Sequence, residues 1–230
     1  MESSVLDVLA RWNRWGTARL DAGHPREITE QLRPFLDTRD VVALVGPRRA
    51  GKTTVLFQVM DRLAADGVSP DAILHLNLED PAFAVEPGLD LLERAYRTYR
   101  EEIHPDGKAW LFLDEVQRCE GWERWVRTRC ETDDLKVFVT GSSSTLLSRE
   151  LGTLLTGRHV SFRVWPLTFR EYLAFRGINL PARPRLAASP ARMQHALTDY
   201  LRWGGFPEVV LARDDVRKEA LLKQYFDAIL

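Results

Sequence analysis

VVALVGPRRAGKTT, from Val41 to Thr54, is an apolar β-branched run that leads directly into a loop bounded by two glycines. The loop matches the phosphate-binding P-loop pattern at every fixed position, and the apolar spacing after it predicts a helix. A strand before such a loop and a helix after it form the context in which this pattern binds a nucleoside triphosphate. The residues predicted to bind it are Gly46, Pro47, Arg48, Arg49, Ala50, Gly51, Lys52, Thr53 and Thr54.

The residue types in this loop each suit one part of phosphate binding. Gly46 and Gly51 let the backbone turn where a Cβ would clash, so that N–H groups point at the phosphates at the start of a helix. Lys52 adds a positive charge and is a candidate catalytic residue. Thr53 offers a hydroxyl to Mg²⁺.

A second strand supplies the acidic partner that a P-loop needs. Four apolar or aromatic residues precede Asp114 and Glu115 in the stretch Trp110 to Glu115. Asp114 is predicted to bind Mg²⁺, and Glu115 is predicted to activate the attacking water as a general base. The alternative is that both carboxylates only end a strand in solvent.

A third strand, Leu135 to Thr140, runs into Gly141 and a group of serines. In open α/β folds ligands bind at the carboxyl edge of the sheet. Thr140 or Ser142 is therefore a candidate to contact the γ-phosphate or the attacking water. A serine here also serves as the N-cap of a helix that begins near Leu146 and Leu147, so the two interpretations stay open.

The composition limits the class of protein. The 230 residues are 45% hydrophobic and 28% charged. The net charge of −1 excludes nucleic-acid binding through an overall positive charge. No apolar run approaches membrane-spanning length, and the N-terminus lacks the pattern of a signal peptide. We expect a cytoplasmic protein without a membrane partner. The two cysteines predict reduced thiols and no metal site.

Short apolar strands alternate with amphipathic helices along most of the chain, which predicts an α/β fold with a mostly parallel sheet covered on both faces. His75 lies within one such strand and is interpreted as a core residue. Three segments follow from the pattern: an N-terminal helical segment (1–40), a P-loop core (41–165) and a helical lid (166–230). The last segment ends within an apolar helical run, so we expect the natural chain to continue.

Several motifs in order carry a family resemblance: GPRRAGKTT, LNLEDP, LFLDEVQ, VTGSSS, LTGR and PLTFREYL. The chain resembles the AAA-type ATPases of bacteria and archaea that carry a C-terminal domain of unknown function, DUF4143. The resemblance implies an ASCE-type P-loop core, a three-layer sandwich in which the Thr140 strand lies between the P-loop strand and the acidic strand. It also implies that the lid is the start of a truncated C-terminal domain, whose missing part holds a partner or nucleic-acid surface.

The resemblance also singles out Arg158, which matches the arginine of the family's GR motif. Such a residue is a candidate catalytic contact to the γ-phosphate, in its own subunit or across an interface between subunits. The alternative is a structural salt bridge beneath the lid.

These observations predict ATP binding and Mg²⁺-dependent ATP hydrolysis, coupled to a conformational change. The alternative is a switch or binding module that orders the lid on ATP and hydrolyses it slowly. A DNA or protein partner through the C-terminal region and a homo-oligomer are further hypotheses. Arg48 and Arg49 are bulky for a loop that only wraps phosphate, so a neighbouring subunit or another polyanion is a candidate contact for them.

Overall fold

A parallel sheet forms the centre of the fold. The computed structural model describes residues 5–16, 21–84, 88–142, 158–178 and 190–229. Within these ranges the strands are β1 (Val41–Val45), β2 (Ile73–Asn77), β3 (Ala109–Asp114), β4 (Leu135–Gly141) and β5 (His159–Arg163). Their order across the sheet is β2-β3-β4-β1-β5, and every neighbouring pair is parallel. The predicted α/β class is confirmed, and β4 with Thr140 lies between β1 and β3 as the resemblance implied.

The helices were also largely predicted from apolar spacing. Those before and between the strands are α1 (Val5–Trp12), α2 (Glu27–Leu32), α3 (Lys52–Ala65), α4 (Pro81–Ala84), α5 (Leu89–Glu102) and α6 (Trp122–Thr132). Those after the sheet are α7 (Phe169–Phe175), α8 (Pro190–Trp203), α9 (Pro207–Leu211) and α10 (Asp215–Ile229). None of the helices in the described ranges is both long and apolar enough to cross a membrane.

Both faces of the sheet are covered, which gives three layers. All five residues of β1 are buried, and successive side chains belong to opposite cores. Val41, Ala43 and Val45 pack in the core that contains α1, α5 and α6. Val42 and Leu44 pack in the core that contains α2 and α3. This double burial explains why β1 is a continuous apolar run instead of an alternating one.

The sequence also predicts a helix over 27–36, a strand over 159–165 and a Pro-rich linker over 180–190. The helix and the strand have other boundaries in the structure. The helix expected over 27–36 ends at Leu32 and continues as a 3₁₀ turn over Arg33–Phe35. Pro34 has no N–H to donate, so an α-helix through it would lose a main-chain hydrogen bond. The strand expected over 159–165 ends at Arg163.

The helices after the sheet have an apolar cluster of their own. The buried members come from α7, α8, α9 and the segment that precedes α7: Leu167, Tyr172, Leu173, Ala196 and Val210. The Pro-rich linker predicted between α7 and α8 falls on 180–190, and positions 179–189 lie outside the described residues. Leu230 also lies outside them.

Helix α1 covers the outer edge of the sheet at β2. The buried side chain of Asn13, just after α1, accepts a hydrogen bond from the His75 N–H (2.6 Å) and donates one to the His75 carbonyl (2.9 Å). Trp15 Nε1 donates to the Ile73 carbonyl at 3.1 Å. These side chains satisfy main-chain groups that an edge strand would otherwise leave open.

Candidate active site

The P-loop closely approaches its neighbours, and this makes its glycines necessary. A Cβ on Gly46 would lie 2.1 Å from the carbonyl oxygen of Val164, just beyond β5. Gly51 adopts φ 93°, in the left-handed region that favours glycine, and is the N-cap of α3. Arg49 is left-handed as well, with φ 63°. The loop therefore enters α3 through a backbone path that few other residues permit.

Lys52 lies at the centre of the loop and is almost fully buried. Its Nζ donates hydrogen bonds to the carbonyls of Gly46 and Pro47, both at 3.2 Å. The same Nζ is 3.4 Å from Oε1 of Glu115. The ammonium group thus bridges the loop and the end of β3, where it faces the predicted general base.

The predicted metal residues are brought together although they are 61 residues apart. Thr53 Oγ1 donates a hydrogen bond to Asp114 Oδ2 at 2.7 Å, and Thr140 Oγ1 donates one to Asp114 Oδ1. Asp114 and Thr140 are buried. Burial raises the pKa of Asp114, but His75, Thr140 and Thr53 together outweigh it, so the net direction is downward. Asp114 is therefore a carboxylate that accepts hydrogen bonds.

Glu115 follows directly and occupies the left-handed region, with φ 58° and ψ 51°. Its N–H donates to Thr140 Oγ1 at 2.9 Å. Its carboxylate accepts from Nε2 of Gln117, which also donates to Ser142 Oγ at 3.2 Å. A non-glycine residue with positive φ is uncommon, and such residues cluster at functional sites. Here it turns the Glu115 side chain out of the strand direction toward Lys52.

His75 approaches Asp114 from β2, a proximity that its interpretation as a core residue did not include. It is buried, and its Nε2 lies 3.9 Å from Asp114 Oδ2. Its Nδ1 is 3.4 Å from the Trp12 carbonyl oxygen. The position of His75 near the end of β2 was visible in the sequence, but the pairing of β2 with the acidic strand β3 was not.

The two loop arginines contact acidic residues of the same chain. Arg49 Nη1 donates to Glu208 Oε2 at 2.9 Å, and its guanidinium lies 4.9 Å from the ring centre of Tyr225. Tyr225 donates its hydroxyl proton to the same Glu208 oxygen at 2.6 Å. Arg48 is 3.7 Å from Glu79, which also holds Arg118 at 3.0 Å. The first of these contacts joins the P-loop to α9 and α10.

Arg158 lies at the other end of the sheet. Its carbonyl accepts the Val41 N–H, and His159 pairs with Val41 at the start of β1, whereas the P-loop follows the end of β1. Five strand residues at about 3.3 Å each separate the two ends. This separation argues against contact between Arg158 and a γ-phosphate bound to its own P-loop, a role that stays a prediction. The side chain is 72% exposed and 3.8 Å from Glu131, so the trans and structural hypotheses remain.

Sequence reasoning missed a buried ion pair beside the loop. Arg26 Nε and Glu171 Oε1 are 2.9 Å apart, with side chains only 4% and 5% exposed. Thr168 and Glu171 have the spacing of a capping box, and both of its hydrogen bonds are present at the start of α7. No local signal pairs Arg26 with a residue 145 positions away.

Some predicted positions lie outside the described residues. These are Ser143 and Ser144, the predicted helix start at Leu146 and Leu147, and Leu154 to Gly157 of the LTGR motif. Thr54 is described and lies in the first turn of α3.

Comparisons with known proteins agree with this geometry. The family model described as an AAA domain matches residues 38–173. An uncharacterized protein of Haemophilus influenzae is 33% identical over 201 residues, covering 87% of this chain and 48% of the relative. Uncharacterized protein MJ1544 of Methanocaldococcus jannaschii is 33% identical over 189 residues, which cover 82% of this chain and 40% of that relative. The chain thus spans less than half the length of these curated relatives.

A solved structure shares the fold. The complex of S. cerevisiae Hsp104 with casein, in its extended conformation, superposes with a TM-score of 0.55 at 17% sequence identity. The superposition covers 89% of this chain and 38% of that one. At this identity the likeness concerns the fold alone.

Proposed function

The chain belongs to the AAA-domain family, and from this membership we propose that it binds ATP with Mg²⁺ at its P-loop and hydrolyses it. The observation that carries the proposal is the 2.7 Å hydrogen bond from Thr53 to Asp114. A P-loop hydroxyl and the carboxylate at the end of a parallel strand are the pair that holds Mg²⁺ in P-loop nucleoside triphosphatases. Glu115, next to this pair and 3.4 Å from Lys52, supplies a base.

The donor atoms fit Mg²⁺. Thr53 and Asp114 offer a hydroxyl and a carboxylate, which are hard oxygen ligands. Among the described residues no group of three or more His, Cys, Asp or Glu is placed to hold a metal ion. Mg²⁺ is commonly bound through one or two protein groups, substrate phosphates and water, so these two residues suffice. When bound, the ion would neutralise charge that develops on the phosphates.

The chain's own residues would divide the chemistry as follows. Lys52 is already oriented by two loop carbonyls, so it needs little reorganisation to face the β- and γ-phosphates. Asp114, with its lowered pKa, stays ionised and keeps its oxygens available as acceptors. Glu115 would take a proton from the attacking water. Thr140 fixes the Asp114 carboxylate and the main chain of Glu115, since its hydroxyl donates to Asp114 and accepts from the Glu115 N–H.

Two variants test this division. Lys52→Ala should abolish ATP binding in a folded protein, because its charge serves the phosphates directly. Glu115→Gln should bind ATP normally and lose turnover by about 10²-fold or more, the usual contribution of general-base catalysis. Calorimetric titration with ATP and Mg²⁺, together with phosphate release, measures both. Unchanged affinity in Lys52→Ala would refute the site, and wild-type turnover in Glu115→Gln would favour the switch alternative.

Coupling to the C-terminal helices is the second part of the proposal. We propose that the helices after the sheet, α7 to α10, act as one unit that reports the state of the P-loop. The contact that supports this is Arg49 with Glu208 and Tyr225, because Arg49 belongs to the loop and its partners belong to α9 and α10. A phosphate bound in the loop would compete with Glu208 for the guanidinium. The assignment of these helices to a DUF4143-type domain is likewise a proposal, supported by the motif resemblance.

The surface of α8 to α10 favours a protein over DNA as the partner. Most of the large apolar residues that are exposed in the described structure lie on these helices, namely Leu197, Leu201, Leu211, Val216 and Phe226. Positions 190–229 carry equal numbers of basic and acidic residues, six of each, so no net positive charge marks a nucleic-acid surface. Turnover measured with and without duplex DNA tests this choice, and clear stimulation by DNA would reverse it.

A further inference from the structure

Arg26 lies beneath the P-loop and contacts three parts of the chain that are remote in sequence. Its Nη1 donates to the carbonyl of Ala50 in the loop at 2.8 Å, and its Nη2 donates to the Trp165 carbonyl at 2.8 Å. Its Nε donates to Glu171 at 2.9 Å. The residue as a whole is 6% exposed. Arg26 is therefore a buried cation whose fork of donors is used in three directions.

The bond to Ala50 orients the peptide unit that ends the loop. A trans peptide is planar, and its C=O and N–H point in opposite directions. Because Arg26 holds the Ala50 carbonyl, the N–H of Gly51 in the same peptide is directed away from the guanidinium. A Cβ on Gly51 would lie 3.1 Å from Arg26 Nη1, so the glycine also makes room for this approach. The conformation of the loop and the position of Arg26 thus depend on each other.

Glu171 stabilises the buried guanidinium of Arg26 and fixes its orientation. Oε1 of Glu171 accepts from Arg26 Nε and from the Glu27 N–H (2.8 Å), and Oε2 accepts from the Thr168 N–H (2.9 Å). A buried ion pair is stable only when further hydrogen bonds satisfy both groups, and here they do. The main chain of Arg26 is tied to α3 as well, since its N–H donates to Gln58 at 3.0 Å.

We infer that Arg26 is a positioning residue for the P-loop: through the Ala50 carbonyl it sets the direction of the Gly51 amide that the phosphates meet, and Glu171 holds it in place. The inference rests on the proposed nucleotide function for its ligand. In this role Arg26 itself does not contact the reacting atoms.

The experiment uses the full chain with the variants Arg26→Gln and Arg26→Lys. Lysine keeps the buried charge opposite Glu171 but cannot reach Glu171, Ala50 and Trp165 at once. Both variants should bind ATP with Mg²⁺ about ten-fold or more weakly, the effect of losing one well-directed hydrogen bond to a charged group. In the absence of nucleotide, the amides of positions 46–53 should exchange hydrogen for deuterium faster than in the wild type.

A matched control separates positioning from general stability. Arg129 is paired with Glu93 and Asp133 in the helix layer on the other face of the sheet, away from the P-loop. Arg129→Gln should lower the thermal midpoint but leave ATP affinity and exchange at 46–53 unchanged.

Wild-type affinity and exchange in folded Arg26→Lys would overturn the inference, even if Arg26→Gln failed to fold. The same affinity loss in Arg129→Gln would overturn it too. If the wild type bound no ATP, the proposed function would fail, while the exchange measurement would still decide the role of Arg26.

Discussion

Replacing Thr140 with valine removes a hydroxyl and nearly preserves shape, so it tests the organisation of the site directly. Thr140 is fully buried, and its hydroxyl donates to Asp114 and accepts from the Glu115 N–H. The variant leaves Oδ1 of the buried Asp114 carboxylate without this donor, while Thr53 still donates to Oδ2, and it leaves the Glu115 N–H without its acceptor. Together these losses should lower the free energy of unfolding by about 2–4 kcal/mol. Turnover at saturating ATP should fall by roughly 10–10²-fold, because Glu115 is no longer held in its left-handed conformation.

Thr140→Ser is the matched control. It keeps the hydroxyl and loses one buried methyl group, which costs about 1 kcal/mol. Urea unfolding of the two variants, compared with phosphate release at saturating ATP, isolates the contribution of the hydroxyl. KM should change little in either, because Lys52 and the loop are untouched. If Thr140→Val matched Thr140→Ser in both stability and turnover, the hydrogen bonds at this position would have no organising role.

Three other predictions concern charged side chains. Arg49→Ala and Glu208→Gln should be non-additive in ATP affinity by titration, because each removes the same contact; additive effects would exclude that coupling. If Arg158 acts in trans, mixing Arg158→Ala with Lys52→Ala protein should restore part of the ATPase activity, whereas inert mixtures of exchanging subunits would contradict this. Burial lowers the pKa of Lys136 to about 8. Between this value and the ordinary lysine pKa of ~10.4 the unfolded chain binds more protons at this residue, so the contribution of Lys136 to stability should rise with pH by up to ~1.4 kcal/mol per unit. Lys136→Met should remove this rise in urea unfolding at each pH.

The P-loop and the acidic pair were predictable because each is a local pattern at the end of a buried strand. Parallel strands bring their carboxyl ends to one edge, so Thr53, Asp114 and Thr140 had to lie near one another. The place of β4 between β1 and β3 came from the family resemblance, since periodicity does not reveal which strands are neighbours.

Other parts of the site depend on long-range geometry. Arg158 directly precedes β5, and His159 of β5 pairs with the first residue of β1. This register places Arg158 at the amino ends of the strands, opposite the P-loop. Arg26 contacts Glu171 across 145 positions, and no spacing rule connects them. The left-handed turn at Glu115 is a property of the packed site, held by Thr140, and a glutamate gives no local indication of it.

The side chain of Asn13 does for β2 what a sixth strand would otherwise do, and this bears on where the polypeptide can be shortened. A chain that started at residue 38, where the family match begins, would keep the whole phosphate-binding loop but uncover the main chain of His75. An uncovered strand edge pairs readily with another molecule. Such a fragment would be expected to self-associate and aggregate even though Thr53, Asp114, Glu115 and Thr140 were present, and it would also lack Arg26. The N-terminal helix, with Asn13 after it, therefore blocks the addition of a strand from another molecule to β2.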